Sequence, residues 1–269
     1  MDIAEGFYDA QAVAGAGQTR RERAEGPAGA LKKYHNAVKR ALLGHFVTPG
    51  DTLLDLACGR GGDLHKWADV GVARVVGVDI SSRALEQAHA RYHALRPPFA
   101  FETHHVTTLK THPWTCPHAP LDIATCMFAL HYFFESEASA RTFLHTVASN
   151  LKKGGYFLCV LPDASCINRW LMEGTTDDLL RLEPQWSGPP KPFGSAYTCS
   201  IADTVTESGS PEYLVYENVL LKLAATLGLD PVYDVDLPCL QPAPRRLFKP
   251  FLPRLPASSV FVACVLRRR

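Results

Sequence analysis

Residues 53–79 place a short apolar run, Leu53-Leu54-Asp55-Leu56, directly before a glycine-rich loop, Ala57-Cys58-Gly59-Arg60-Gly61-Gly62-Asp63. A second acid, Asp79, ends the next apolar run 20 residues after Gly59. Glycines just after a strand let a ligand approach the backbone. An acid at the end of the following strand can accept both hydroxyls of a ribose. Three glycines alone often make only a turn, and a lone strand-end Asp is commonly a helix N-cap. The joint spacing points to a nucleoside instead. The loop lacks the Gly-x-Gly-x-x-Gly order that cradles a pyrophosphate, and Asp55 lies inside the strand itself. Elsewhere, His104, His105, His112, Cys116 and His118 crowd one stretch. Their spacing fits no common metal site, so no metal is expected.

The elements that must position these residues follow from periodicity. Leu31, Tyr34, Val38 and Leu42 recur at helical spacing and predict an amphipathic helix to Phe46, with a turn at Pro49-Gly50-Asp51. Strands are expected at Thr52–Leu56, Arg74–Asp79, Ala100–Val106, Asp122–Met127 and Tyr156–Val160, the last after a Lys153-Gly154-Gly155 turn. Helices are expected at Leu64–Val70, at Arg83–Leu95 behind a Ser81 or Ser82 cap, and at Ser136–Leu151. A further helix is expected at Tyr213–Leu227, and Ser259–Leu266 reads as a final strand. The alternation calls for a doubly wound α/β fold with a mostly parallel sheet. Residues 1–29, with Arg20, Arg21 and Arg23, read as a flexible arm before a single domain over 30–269. Residues 163–211, rich in Pro and Gly from Pro184 to Phe193, read as an irregular excursion on the substrate side.

Composition bounds the classes. At 269 residues, 46% hydrophobic and 20% charged, the chain can bury one sizeable core. A net charge of +1 gives no global attraction to nucleic acid, so any polyanion must meet a local basic patch. No run approaches the roughly 18 apolar residues of a membrane span. The start, Met1-Asp2-Ile3-Ala4-Glu5, lacks the order of a secretory signal. Eight scattered cysteines without a Cys-x-x-Cys pair read as reduced thiols of a nuclear or cytoplasmic protein.

The acid-bearing first strand and its loop resemble the Asp/Glu-x-Gly-x-Gly motif of class I methyltransferases. That resemblance implies S-adenosylmethionine as cofactor and a seven-stranded, Rossmann-like sheet with an antiparallel last strand. A narrower resemblance follows. Residues Leu54 to Trp67 are similar to the LDLGCGKGGDLxKW run of the mRNA cap guanine-N7 methyltransferases. Leu31 to Lys39 is similar to that family's LRNFNNWIK helix, Phe128 to Glu135 to its FxxHYxFE segment, and Pro211 to Tyr216 to its EYLVY segment. The glycine loop is shared by methyltransferases in general, so the other three blocks carry the specificity.

The resemblance implies methyl transfer to N7 of the guanine of a 5′ RNA cap. N7 has a free lone pair, so no general acid or base is expected and catalysis is mostly positioning and electrostatics. Cofactor contacts would come from Lys39 (methionine carboxylate), Asp55 (loop or methionine ammonium), Ala57, Gly59, Asp79, His105, Met127 and Tyr132. Cap contacts would come from His35, Asn36, Arg60, Lys66, His131, Glu212 and Phe261. Glu212 would accept from guanine N1–H and its amino group, with His131, Tyr132 and Glu212 positioning the base and Arg60 and Lys66 at the triphosphate. Against the family pattern, Ala57 replaces a loop glycine, His105 a strand-three acid and Met127 a glutamine. His35 replaces an Asn, Ala37 a Trp and Phe261 a Tyr. The alternatives are a methyltransferase of the same fold with another RNA or small-molecule acceptor, and a catalytically silent cap-binding subunit. Triphosphatase and guanylyltransferase motifs are not seen, so those steps are expected from separate chains.

Overall fold

The computed structural model describes Gly6, Asp9 and residues 26–204 and 206–269. Most of the arm expected over 1–29, its three arginines included, lies outside the described residues. Ala28 is already fully buried.

Helix α1 (Gly29–Phe46) precedes strand β1 (Thr52–Leu56), helix α2 (Leu64–Val70), strand β2 (Arg74–Asp79) and helix α3 (Ser82–Leu95). Strands β3 (Ala100–His105) and β4 (Leu121–Met127) follow. A 3₁₀ turn (Leu130–Glu135) then leads into α4 (Glu137–Asn150) and β5 (Leu151–Pro162). Next come α5 (Ala164–Met172) and three short strands, β6 (Leu180–Pro184), β7 (Ala196–Ile201) and β8 (Ser210–Tyr213). Helix α6 (Glu217–Thr226), short strands β9 (Leu229–Pro231) and β10 (Lys249–Pro250), and β11 (Phe261–Arg268) complete the order.

The main sheet runs β10-β11-β5-β4-β1-β2-β3, with β9 also paired to β11. Strands β1 to β5 are mutually parallel, and β11 lies antiparallel to β5. Eight strands stand where seven were expected, because β9 and β10 share the far edge of β11. Side chains alternate across a strand, and here both faces are covered. Leu54, Val76, Ala124, Phe157 and Cys264 face Phe143 and Leu144 of α4 and Leu220 of α6. Leu53, Val75, Ile123, Leu158 and Val265 face Leu31 and Val38 of α1 and Trp67 of α2. That two-sided burial is why these strands are near-continuous apolar runs.

Several boundaries moved for local reasons. Ser81, not Ser82, caps α3, its Oγ accepting from the Ala84 N–H at 3.1 Å. The Lys153-Gly154-Gly155 turn is absorbed into β5 as an irregularity: Leu121 pairs with Leu151, yet Ile123 pairs with Tyr156. A Cβ on Gly155 would lie 2.7 Å from the Asp122 carbonyl oxygen, so only glycine fits there. The final strand begins at Phe261 because Pro256–Val260 winds into a 3₁₀ turn. The excursion expected to be irregular instead contains α5 and a three-stranded antiparallel sheet, β6-β7-β8. Its last strand claims Tyr213, so the following helix starts at Glu217 rather than Tyr213.

Candidate active site

Open α/β sheets bind ligands beyond the carboxyl ends of their strands. A cavity of about 380 Å³ lies there, walled by Ala57, Gly59 and Arg60 after β1, Asp79 and Ile80 after β2, and Met127 and Phe128 after β4. The small sheet closes the opposite side with Ile201 and Glu212, while His131 and Tyr132 enter from the 3₁₀ turn.

The loop half is held by its own hydrogen bonds. Asp79 accepts the Gly59 N–H at 2.7 Å on one oxygen and the Ser81 N–H at 2.9 Å on the other. Burial pushes its carboxyl up, opposed by those N–H donors. A Cβ on Gly59 would meet nothing within 4 Å, so the space above it is open to a ligand. Ala57 has a φ of 64°, a left-handed conformation that an L side chain resists. Beneath the loop, buried Asp63 receives Lys39 Nζ at 2.8 Å and Lys66 Nζ at 2.8 Å. Burial alone would raise the Asp63 carboxyl, but the two lysines hold it below the usual range. Asp55 accepts the Thr125 hydroxyl at 2.6 Å. Burial, then repulsion by Asp63, pushes its carboxyl up to about 7.

The acceptor half is different. Buried Glu212 lies on β8 and takes the Tyr197 hydroxyl on Oε2 at 2.8 Å. Its Oε1 stands 3.5 Å from His131 Nε2, and neither ring nitrogen of buried His131 has a hydrogen-bond partner. His35 stacks on Phe128, ring centres 4.8 Å apart, and meets Phe261 edge-on at 4.8 Å. Its buried Nε2 is also without a partner. Burial, then Lys39, lowers its pKa to about 3, so the ring is neutral. Phe128 itself has a φ of 63°. Strain of that kind persists only where the surroundings enforce it.

The cavity thus gathers His35, Ala57, Gly59, Arg60, Asp79, Met127, His131, Tyr132, Glu212 and Phe261. Lys66, expected at the triphosphate, is turned inward and 3% exposed, because the Asp63 carboxylate compensates its charge. Lys39 spends its ammonium on the same carboxylate and, like Asp55 and Asn36, is off the cavity wall. His105 is exposed and bonded to the Ile80 carbonyl at 2.8 Å, and Val106 and Thr107 take the wall position instead. Sequence reasoning missed Asp63, Phe128 and Tyr197. Asp63 and Phe128 lay inside the quoted motif blocks, and Tyr197-x-Cys199-x-Ile201 carried a strand's alternation. Among the described residues no group of three His, Cys, Asp or Glu is arranged to hold a metal. His104 and His118 instead both bond to Glu102, at 3.2 and 3.0 Å.

Solved structures that align over nearly the whole chain place it among methyltransferase folds. The magnesium protoporphyrin IX methyltransferase of Synechocystis superposes with a TM-score of 0.60 at 14% identity, covering 99% of each chain. The CcbJ methyltransferase of Streptomyces caelestis gives 0.59 at 16% identity, covering 97% of each. The fold is therefore that of the class I methyltransferases, a Rossmann-like α/β sheet. Within that class, residues 7–238 match the mRNA (guanine-N(7))-methyltransferase domain, and the chain belongs to that family. The mRNA cap guanine-N(7) methyltransferase 1 of Arabidopsis thaliana is 34% identical over 236 residues, covering 80% of this chain and 63% of that protein. The mRNA cap guanine-N(7) methyltransferase of Saccharomyces cerevisiae is 30% identical over 226 residues, covering 74% and 50%. The aligned part spans half to under two-thirds of those relatives' length.

Proposed function

We infer that this protein transfers a methyl group from S-adenosylmethionine to N7 of the guanine in a 5′ RNA cap. The observation that carries the reading is the buried Glu212 carboxylate facing the cavity beside His131, whose Nδ1 has no hydrogen-bond partner. A carboxylate there can accept from guanine N1–H and its amino group, and favours the positive charge that develops on the ring as N7 is alkylated.

The other half fits an adenosyl group. Gly59 offers an open face, the Asp79 carboxylate on the wall can accept ribose hydroxyls, and Ile80 and Val106 supply apolar wall for a flat base. When bound, S-adenosylmethionine supplies an activated methyl on a sulfonium. The chain itself has only to hold N7 in line and exclude water, because no proton must leave N7. Neutral His35 adds no positive charge near a cationic donor. Arg60, on the cavity wall, is the residue best placed to meet a cap phosphate. Family membership supports a nuclear or cytoplasmic site of action. Among the described residues no helix is long and apolar enough to cross a membrane.

The test is incubation with labelled S-adenosylmethionine and RNA bearing an unmethylated guanosine cap, followed by digestion. N7-methylguanosine is the expected product, lost in Asp79→Ala, which should also lose cofactor binding. Label at another position, or cofactor binding without transfer, would overturn the reading.

A further inference from the structure

Strands β7 and β8 alternate cleanly: Tyr197 and Cys199 are buried on one, Ser210 and Glu212 on the other, with partly exposed Thr198 and exposed Pro211 between them. Tyr197 pairs directly with Glu212 and Cys199 with Ser210, so the four side chains share one face. That face meets the 3₁₀ turn twice. Ser210 Oγ lies 3.2 Å from the Tyr132 hydroxyl, and Glu212 Oε1 lies 3.5 Å from His131. Tyr197 is fully buried, does not reach the cavity, and donates its hydroxyl to Glu212 Oε2. Burial, then the charge of Glu212, pushes that hydroxyl well above its ordinary value, so it keeps the proton it donates.

We propose that Tyr197 is a positioning residue that pins one oxygen of Glu212, keeps the other turned to the cavity, and so sets the preference for a purine carrying a ring N–H beside an amino group. The inference rests on the acceptor reading above. A carboxylate free to rotate presents its lone pairs in many directions. One gripped from behind at Oε2 presents Oε1 in a fixed direction, and the two lone pairs of that oxygen can meet two adjacent donors on one ring. Inosine keeps the ring N–H but lacks the amino group, so it measures the second contact.

The test titrates wild type and Tyr197→Phe with a guanosine-capped and an inosine-capped dinucleotide, alongside S-adenosylhomocysteine and a thermal melt. Phe keeps the ring that packs against the core and removes only the hydroxyl. Wild type should prefer the guanosine cap. Tyr197→Phe should weaken that cap by about tenfold, the scale of one hydrogen bond to a charged group, and leave the inosine cap nearly unchanged. In turnover, KM for guanosine-capped RNA should rise more than kcat falls, with S-adenosylhomocysteine binding unaltered. A variant that retains the guanosine preference overturns the proposal. So does one that loses affinity for both caps equally while melting earlier, since that is a packing defect. Wild type that binds neither dinucleotide overturns the acceptor reading and removes this inference with it.

Discussion

The two halves of the cavity differ in how their polar groups are satisfied. On the glycine-loop side, Asp79 holds two backbone N–H groups, Asp63 holds two lysines and Asp55 holds Thr125. On the acceptor side, His131 Nδ1 and His35 Nε2 are buried without a hydrogen-bond partner. Buried polar atoms without partners are costly, so a structure keeps them where a ligand completes them. The loop half is preassembled, and the carboxylates beneath the loop, Asp55 and Asp63, should answer to mutation mainly in stability. The acceptor half is unfinished without its substrate and should answer mainly in activity.

The sharpest way to break that contrast is Asp63→Ala. It leaves buried Lys66 and partly buried Lys39 without their counter-charge and should cost about 3–5 kcal/mol, read as a lower denaturation midpoint. A variant as stable as wild type would remove the structural role given to this ion cluster. Glu212→Ala should do the reverse, lowering cap methylation by about 10²–10³-fold with little change in melting temperature or cofactor affinity. Equal losses of stability and turnover would erase the distinction between the halves.

Asp55 sharpens it through pH. Its folded pKa of about 7 lies above the ordinary carboxyl value of 3.8, so the unfolded chain releases that proton first. Its contribution to stability is therefore present below about pH 4 and lost as pH rises through about 7. Asp55→Asn cannot ionise, so its stability relative to wild type should grow between pH 5 and pH 8 in denaturant titrations. A constant difference would mean that Asp55 titrates normally. The smallest effect is expected from Ala57→Gly. Relieving the left-handed alanine should add about 1 kcal/mol, a rise of a few degrees in melting temperature, and no gain would mean that the loop carries no strain there.

Much of this was legible in advance. The first two strands and α2 fall on the expected residues, because runs such as Arg74-Val75-Val76-Gly77-Val78-Asp79 are buried on both faces and can be little else. The small sheet was not. Its strands are four to six residues long, separated by stretches rich in Pro and Gly, and they pair only with one another. Glu212 was singled out, but its place on a strand depends on pairing with Tyr197 across 15 residues. Lys66 shows another limit. Lysine is rarely buried, and helical spacing does not reveal that Lys39, from α1, and Lys66 converge on one carboxylate. The position aligned with the family's strand-three acid reads as His105, yet the strand presents that ring to solvent and the cavity meets Val106 instead.

Strand β11 sits inside the sheet, with β5 on one side and β9 and β10 on the other. During synthesis, residues 151–162 therefore wait with an unpaired apolar edge until residues 261–268 have left the ribosome. The nascent chain must pass that interval with an adhesive strand on display. The same arrangement makes the closing contact one of high sequence separation, which slows folding. A chaperone that shields β5 would shorten the exposure, and the yield of this protein from recombinant cells should track the supply of such a chaperone more closely than the stability of the finished fold.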